Sequence, residues 1–290
     1  MYYLLTLLAG IIINIMVAVN GSLAGETGVY SAIVISYVIA IIISFLILKV
    51  RKEKILPQTK MPLWAYLGGV FSVFSAFCSN FAFGKISMVA ITALGLLAQT
   101  VTSLIIDVTG LFGIKKRPAK TGVWICIVIS FAGMFIMLYG ADIASTTALL
   151  LSFAAGISLV LSRMLSASFS RASSAVAGSF MTHMIGLPAA VLLLFLVAKN
   201  EIGSFSLMNI PLWMYTGGIL GIFILAITNI TLSKVSALNV TLLIFVGQVL
   251  SGAVIDFIIG NSFSSRTFIG GVIISGGIIA QTLISHRQKA

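Results

Sequence analysis

Two related stretches decide the fold of this chain: PLWAYLGGVFSVFSAFCSNFAFGKISMVAITALGLLAQTVTSLIID at residues 62–107 and PLWMYTGGILGIFILAITNITLSKVSALNVTLLIFVGQVLSGAVID at residues 211–256. They align without a gap when residue 62 is placed on residue 211. The identical pairs include Pro62/Pro211, Leu63/Leu212, Trp64/Trp213, Tyr66/Tyr215, Gly68/Gly217, Gly69/Gly218, Asn80/Asn229, Lys85/Lys234, Ser87/Ser236, Thr92/Thr241, Gln99/Gln248 and Asp107/Asp256. The chain therefore contains a duplication.

The composition places most of the chain in lipid rather than in water. Of the 290 residues, 60% are hydrophobic and 8% are charged, and the mean hydropathy is +1.19. Soluble domains contain roughly 45–50% apolar and about 25% charged residues. A membrane-spanning helix needs about 20 apolar residues, so the chain has room for about ten spans and for no soluble domain. An ordinary soluble protein is excluded.

Ten apolar runs predict ten transmembrane helices separated by short breaks. The runs are 3–23, 29–48, 62–83, 88–108, 121–140, 146–166, 174–198, 211–232, 237–259 and 267–285. Lysine and arginine are enriched in the cytoplasmic connectors of membrane proteins. With a cytoplasmic amino terminus, all 17 Lys and Arg except Lys85, Lys199 and Arg266 fall on the cytoplasmic side. We therefore expect a multi-pass protein of the cytoplasmic (inner) cell membrane with both termini in the cytoplasm.

Each half of the duplication, residues 1–142 and 143–290, contains five of these spans. Because five is odd, the second half must enter the membrane from the opposite side. The predicted fold is an all-α polytopic membrane protein with ten transmembrane helices in two inverted-topology five-helix repeats. This architecture is typical of secondary transporters that work by alternating access. Two other interpretations are a membrane sensor or scaffold that transports nothing, and a passive channel.

The segment GLLAQTVTSLIIDVTGLFGIKKRP, residues 95–118, and its counterpart from Gly247 to Asp256 resemble the YdcZ-like (DUF606) branch of the drug/metabolite transporter (DMT) superfamily. The resemblance extends over nearly the whole chain and implies the fused ten-helix, EamA-like form, which transports small molecules and for which drug efflux is one option. Two features differ from the pattern. The GLFG turn after Asp107 has no counterpart after Asp256, and neither the first nor the sixth span carries the embedded glutamate of small multidrug relatives.

Only two of the six acidic residues, Asp107 and Asp256, fall inside predicted spans. An aspartate at the centre of a span costs roughly 2.5–3.5 kcal/mol on insertion scales, so a carboxylate in the membrane is a functional candidate. The two aspartates could act as matching gates at the two membrane faces or as a proton-coupling site. Their other interpretation is structural, as a cap or an ion pair at a helix end, with Arg117 and Arg266 as candidate partners.

Polar residues recur along one face of the fourth and ninth helices. Thr92, Gln99 and Asp107 share a face because seven and eight residues are close to two helical turns. Thr241, Gln248 and Asp256 repeat the pattern. Such a stripe must face protein or water. It could line a central cavity that binds substrate, or its amides could hydrogen-bond to neighbouring helices.

Five further polar residues complete the candidate set. They are Asn80 and its repeat partner Asn229, Asn14 and Asn20 in the first helix, and His183 in the seventh. Each has a substrate-binding and a purely structural interpretation, and His183 also has a proton-shuttling one. Arg163, near the cytoplasmic end of the sixth helix, is expected to extend toward the membrane surface.

The sequence contains no phosphate-binding loop, metal-ligand cluster or catalytic triad, so we expect no enzyme activity, no cofactor and no metal site. The net charge of +11 lies in short connectors and does not indicate nucleic-acid binding. The expected partners are the lipid bilayer and a small organic solute, with a homodimer as one option for assembly. Because embedded acids are so few, we expect a neutral, zwitterionic or aromatic solute rather than a strongly cationic drug.

Overall fold

The computed structural model describes residues 2–54, 63–111, 121–139, 143–202, 209–232, 237–259 and 265–286. These residues form ten α-helices: α1 (Tyr2–Thr27), α2 (Val29–Arg51), α3 (Leu67–Ala82), α4 (Met88–Thr109), α5 (Thr121–Leu138), α6 (Ile143–Ala172), α7 (Ala175–Val197), α8 (Gly217–Leu232), α9 (Ala237–Ile259) and α10 (Ser265–His286). Short 3-10 helices, Leu63–Tyr66 and Leu212–Thr216, precede α3 and α8. Each predicted span coincides with one helix, and the predicted all-α fold is confirmed.

The helices are apolar and much of their outer surface is too. Five of them, α1, α2, α4, α6 and α7, contain described segments long and apolar enough to cross a bilayer. The apolar described segments of α3, α5, α8, α9 and α10 are shorter, at 10–17 residues. Large side chains such as Phe135, Leu196 and Phe257 are 67%, 70% and 83% exposed. Water would not tolerate so many exposed apolar side chains, so the chain is an integral membrane protein.

Local sequence sets several helix boundaries. Ser87 and Ser174 cap α4 and α7, because each hydroxyl accepts a hydrogen bond at 3.2 Å from the backbone N–H three residues later. Gly110 ends α4 in the left-handed conformation, with φ of 73°. Gly28, with φ of 87°, occupies the tight connection between α1 and α2.

Each helix of the first half has a counterpart five helices later, so that α1 corresponds to α6 and α4 corresponds to α9. The helix packing is nearly unchanged when each helix is replaced by its counterpart. α1 packs on α9 as α6 packs on α4, and α1 packs on α8 as α6 packs on α3. The counterparts α2 and α7 pack on each other, as do α5 and α10. The two halves are therefore related by an approximate twofold axis, and their helices interleave.

Contacts along α1 and α9 show that these helices run in the same direction. Gly10 of α1 lies so close to α9 that a Cβ would meet the carbonyl of Ile244, and four residues later Asn14 reaches Gln248. The same parallel contact joins α4 and α6. Gly156 of α6 lies against the carbonyl of Gly95 on α4, and further along both helices Arg163 reaches Gln99.

The direction of α4 and α9 fixes the relation of the halves. The start of α4, at Met88, contacts the end of α9, at Asp256. Leu97, further along α4, shares a core cluster with Phe245, which is earlier in α9. These two counterpart helices are therefore antiparallel. Because α1 is parallel to α9 and α6 is parallel to α4, α1 and α6 are antiparallel as well. The repeats have inverted topology, whereas the boundary between 1–142 and 143–290 stays a prediction.

Candidate substrate site

A buried group of polar side chains lies where α1, α4 and α9 meet; we call Asn14, Thr92 and Gln248 the three-helix cluster. The Nδ2 of Asn14 donates to the backbone carbonyl of Gln248 at 2.5 Å. The Oγ1 of Thr92 donates to the Oδ1 of Asn14 at 3.2 Å. Asn14, Thr92 and Gln248 are 2%, 6% and 8% exposed. Glycines at positions 10 and 247 allow the α1 and α9 backbones to approach closely enough for these bonds.

The amide of Gln248 is only partly satisfied. Its side-chain Oε1 is buried and accepts no hydrogen bond from the residues that the structure describes. A buried acceptor without a donor costs about 1–3 kcal/mol. A hydrogen-bond donor on a bound solute would remove that cost. Gln248 is therefore the member of the three-helix cluster whose side chain could accept a hydrogen bond from a solute.

Gln99, the counterpart of Gln248 in the repeat, is in a different environment. Its Nε2 donates to the carbonyl of Gly95 at 3.1 Å, and its Oε1 accepts from the Nη1 of Arg163 at 3.1 Å. Gln99 is half-buried and Arg163 is exposed. The Arg163 guanidinium thus lies beside the middle of α4, rather than extending toward the end of α6 as the sequence suggested.

Arg163 is the residue that sequence reasoning missed. The usable signal was a single arginine surrounded by apolar residues, in VLSRML, inside the predicted span 146–166. Its partner could not be predicted, because the contact depends on the register between α6 and α4.

Asp256 caps a helix other than its own. It is fully buried, and its Oδ1 and Oδ2 accept hydrogen bonds from the backbone N–H groups of Met88 and Val89 at 2.6 and 3.1 Å. These N–H groups belong to the first turn of α4, where the helix dipole also favours negative charge. A capping role was one of the two interpretations from sequence. Roles in gating or proton coupling stay predictions.

The end of the bundle at Asp256 is closed by apolar side chains. Ala82, Met88, Ile91 and Ala148 form a buried cluster against which Val17 and Ile255 also pack; we call these residues the closed end. The first half of α4 is almost wholly buried, whereas its second half contains half-buried residues from Gln99 onward and the exposed Ile105. The described residues of α4 are therefore buried along its first half and more exposed along its second half.

The remaining candidates have other positions. Asn20 accepts a hydrogen bond from Ser36 at 3.1 Å and lies against Gly217, which links α1 to α2 and α8. The Nδ1 of His183 is 2.8 Å from the carbonyl oxygen of Ser179, one turn earlier on α7, and its ring lies edge-on to Tyr37 of α2, 4.9 Å between centroids.

The candidate residues that are left include one buried amide. Asn80 is buried on α3. The side chains of Asp107, Asn229 and Thr241 lie outside the described residues.

Two further features bear on ligands. An apolar groove of about 310 Å³ between α9 and α10 is lined by residues that include Val249, Ala253, Val272 and Gly276. Its lining includes Val89 of α4 but none of the candidate site residues. Within the described ranges, no three His, Cys, Asp or Glu side chains come together as metal ligands would.

An inverted pair of helical repeats in an integral membrane protein, with polar groups between the helices, defines the class of helical transport proteins of the membrane. The family is defined by a sequence model that matches residues 1–136 and again residues 147–280. The chain belongs to the DMT_YdcZ family, described as "Putative inner membrane exporter, YdcZ". This membership confirms the resemblance noted from sequence, including the fused form with two copies of the unit. The family is one of transport proteins rather than enzymes.

Comparison with solved structures gives the same fold. A structure described only as the crystal structure of a protein superimposes with a TM-score of 0.61 at 16% identity, over 98% of this chain and 99% of that chain. At this identity the similarity concerns the fold alone. The search of curated proteins found no match.

Proposed function

We propose that this protein is a secondary transporter that exports a small organic solute across the cytoplasmic membrane by alternating access. In this proposal the chain crosses the bilayer ten times with both termini in the cytoplasm, as the distribution of lysine and arginine indicates. The single observation that carries the proposal is the antiparallel relation of α4 and α9, with α4 buried at its start and more exposed beyond Gln99. Each inverted repeat can adopt the conformation of the other. The end of the bundle that is now buried would then become the more exposed end, and the other end would become buried.

The positive-inside topology identifies which end is closed. It places the start of α4 and the end of α9 at the outer face, so the present conformation is inward-facing. A passive channel needs a path open at both ends, whereas the described residues of the closed end are buried. The closed end therefore favours a carrier over a channel.

Asp256 supplies a gate in this proposal. While it caps α4, α4 and α9 are held together at the outer face. In the outward-facing state the cap would open, and its repeat counterpart Asp107 would play the same part at the start of α9, near residue 237. The gating pair expected from sequence thus has a physical mechanism, in which two helix caps form alternately.

Cysteine accessibility tests this proposal without knowledge of the solute. In a chain carrying Cys78→Ala and Cys126→Ala, single cysteines replace Ser103, on the accessible half of α4, or Ile86, beside the closed end. A membrane-impermeant maleimide is applied to vesicles of each orientation. We expect Ser103→Cys to react from the cytoplasmic face, and Ile86→Cys to react slowly from the outer face.

Adding Asp256→Asn should slow the reaction of Ser103→Cys and speed the reaction of Ile86→Cys. Weakening the outer gate increases the population of the outward-facing state. Ser44→Ala, a buried change on α2 away from the gate, is the control and should alter neither rate. A scaffold predicts two fixed rates, so the absence of a reciprocal change would reject the carrier. A channel predicts labelling of both positions from both faces.

A further inference from the structure

We propose that Arg163, together with Gln99, binds the carboxylate group of the transported solute, so that the substrate class is organic carboxylates. This inference rests on the proposed transport function and deepens it. It goes beyond the expectation of a neutral, zwitterionic or aromatic solute, since it requires one anionic group and assigns the residues that meet it.

The guanidinium of Arg163 has unused hydrogen-bonding capacity. It carries five N–H donors, and its one hydrogen bond to a described residue goes to the Oε1 of Gln99. The ion pair found among the described residues joins Arg51 to Glu53 at the end of α2. The carboxylates of Glu201 and Asp256 accept from backbone N–H groups at Ser31 and at the start of α4, respectively. No carboxylate in the described part of the chain neutralises Arg163.

The position of Arg163 fits a transport pathway. A cation between membrane helices normally pairs with an acid, extends to the interface or faces water in a transport pathway. Arg163 as a whole residue is exposed, and its guanidinium lies beside the middle of α4, away from the closed end. A planar guanidinium fork matches a carboxylate in two parallel hydrogen bonds, which an ammonium group does not.

The repeat shows that the positive charge belongs to one half alone. On α9, Gln248 meets the neutral amide of Asn14, whereas on α4, Gln99 meets the cation of Arg163. The free Oε1 of Gln248 suits a hydrogen-bond donor, not an anion. Gln99, together with Arg163, therefore forms a site for a carboxylate, whereas Gln248 offers an oxygen that accepts a hydrogen bond from a donor group.

The electrostatic part of the inference can be tested without a substrate. Ser103 lies one turn beyond Gln99 on the same face of α4, and it is replaced by cysteine in the chain that lacks Cys78 and Cys126. The rates of reaction with an anionic and a cationic methanethiosulfonate are compared. We expect Arg163→Gln to lower the ratio of anionic to cationic rates about tenfold, as removal of one nearby charge would do.

Three companion variants make this test decisive. Arg163→Lys keeps the charge and should keep the ratio, and Gln99→Glu should lower it by neutralising the guanidinium even if Arg163→Gln is not recovered folded. Arg51→Gln removes an arginine remote from Gln99 and should change nothing. An unaltered ratio in both Arg163→Gln and Gln99→Glu would overturn the proposal.

Ligand chemistry is tested with matched pairs that differ in one group. Benzoate and benzamide, and succinate and succinamide, are added to the purified full chain, and thermal unfolding is followed by tryptophan fluorescence. At least one carboxylate should raise the unfolding temperature more than its amide, and Arg163→Gln should abolish the difference. Equal effects of acid and amide in both pairs would contradict the proposal.

Failure of this inference and failure of the transport function give different results. Reciprocal accessibility of Ser103→Cys and Ile86→Cys with no charge effect would retain the carrier and reject the carboxylate site. A charge effect with fixed accessibility would retain an anion site in a protein that does not alternate.

Discussion

Replacing Asp256 by asparagine should destabilise the protein, because the carboxylate holds the start of α4 against the end of α9. The side chain is fully buried and accepts two hydrogen bonds, at 2.6 and 3.1 Å. Asparagine has nearly the same shape, but it can accept with one oxygen only and turns an NH₂ group toward the second backbone N–H. The change therefore isolates the charge and one hydrogen bond from the packing.

The magnitude follows from these two contacts. A hydrogen bond to a charged group contributes about 1.5–3 kcal/mol. A negative charge at a helix N-terminus adds about 0.3–1 kcal/mol at the surface and up to about 2 kcal/mol when partly buried. Because the amide retains one bond and is less costly to bury than a carboxylate, we expect a net loss of about 2 kcal/mol in the free energy of unfolding.

The assay is equilibrium unfolding of the full chain in detergent, followed by tryptophan fluorescence, with thermal unfolding as a second measure. Asp256→Asn should unfold at a lower denaturant concentration and at a lower temperature. Asp256→Glu should also be less stable, because a longer side chain cannot place both oxygens on the same two N–H groups. An unchanged free energy of unfolding in Asp256→Asn would contradict a capping role for the Asp256 side chain at the start of α4.

Other predictions concern packing and buried polar atoms. Gly156→Val should lower the unfolding temperature, because its Cβ would overlap the α4 backbone, whereas Gly276→Ala, with open space around it, should not. Ser44→Ala should be neutral or stabilising, because the Ser44 hydroxyl is buried and has no partner in the described part of the chain. Ser162→Ala should lower the free energy of unfolding by about 1 kcal/mol, because its hydroxyl bonds a backbone carbonyl at 2.8 Å. Gln248→Leu should leave stability intact and abolish uptake of solute into proteoliposomes, and a variant with lost stability and normal uptake would contradict the assigned role.

The fold could be predicted because it depends on local runs of apolar residues and on the number of helices in each half. Runs of apolar residues long enough to cross a bilayer give the helices. An odd number of helices in each duplicated half then requires inversion, which the antiparallel contact of Met88 with Asp256 confirms. The main difference is α6, which extends to Ile143–Ala172, beyond the predicted span 146–166.

The site was less predictable because its geometry depends on which helices become neighbours. The sequence identified Asp256 as a membrane carboxylate and considered a cap, but it could not show that the capped helix is α4, 167 residues away at Val89. The polar stripe on α4 was also predicted, whereas its two glutamines occupy different environments. Gln99 meets Arg163 and Gln248 is buried beside Asn14, because α6 and α1 place different residues at these equivalent contacts.

The central claim is that the inverted repeats rock between two states, and paired spin labels test it most directly. One pair, Lys85→Cys with Phe257→Cys, spans the closed end, and the other, Tyr3→Cys with Thr109→Cys, spans the opposite end of α1 and α4. Pulsed electron resonance on the protein in lipid nanodiscs measures both distances. We expect a short and a long distance for each pair. Asp256→Asn should increase the population with the long distance at the closed-end pair and the population with the short distance at the opposite pair. One unchanging distance at each pair, in the parent chain and in Asp256→Asn alike, would contradict it.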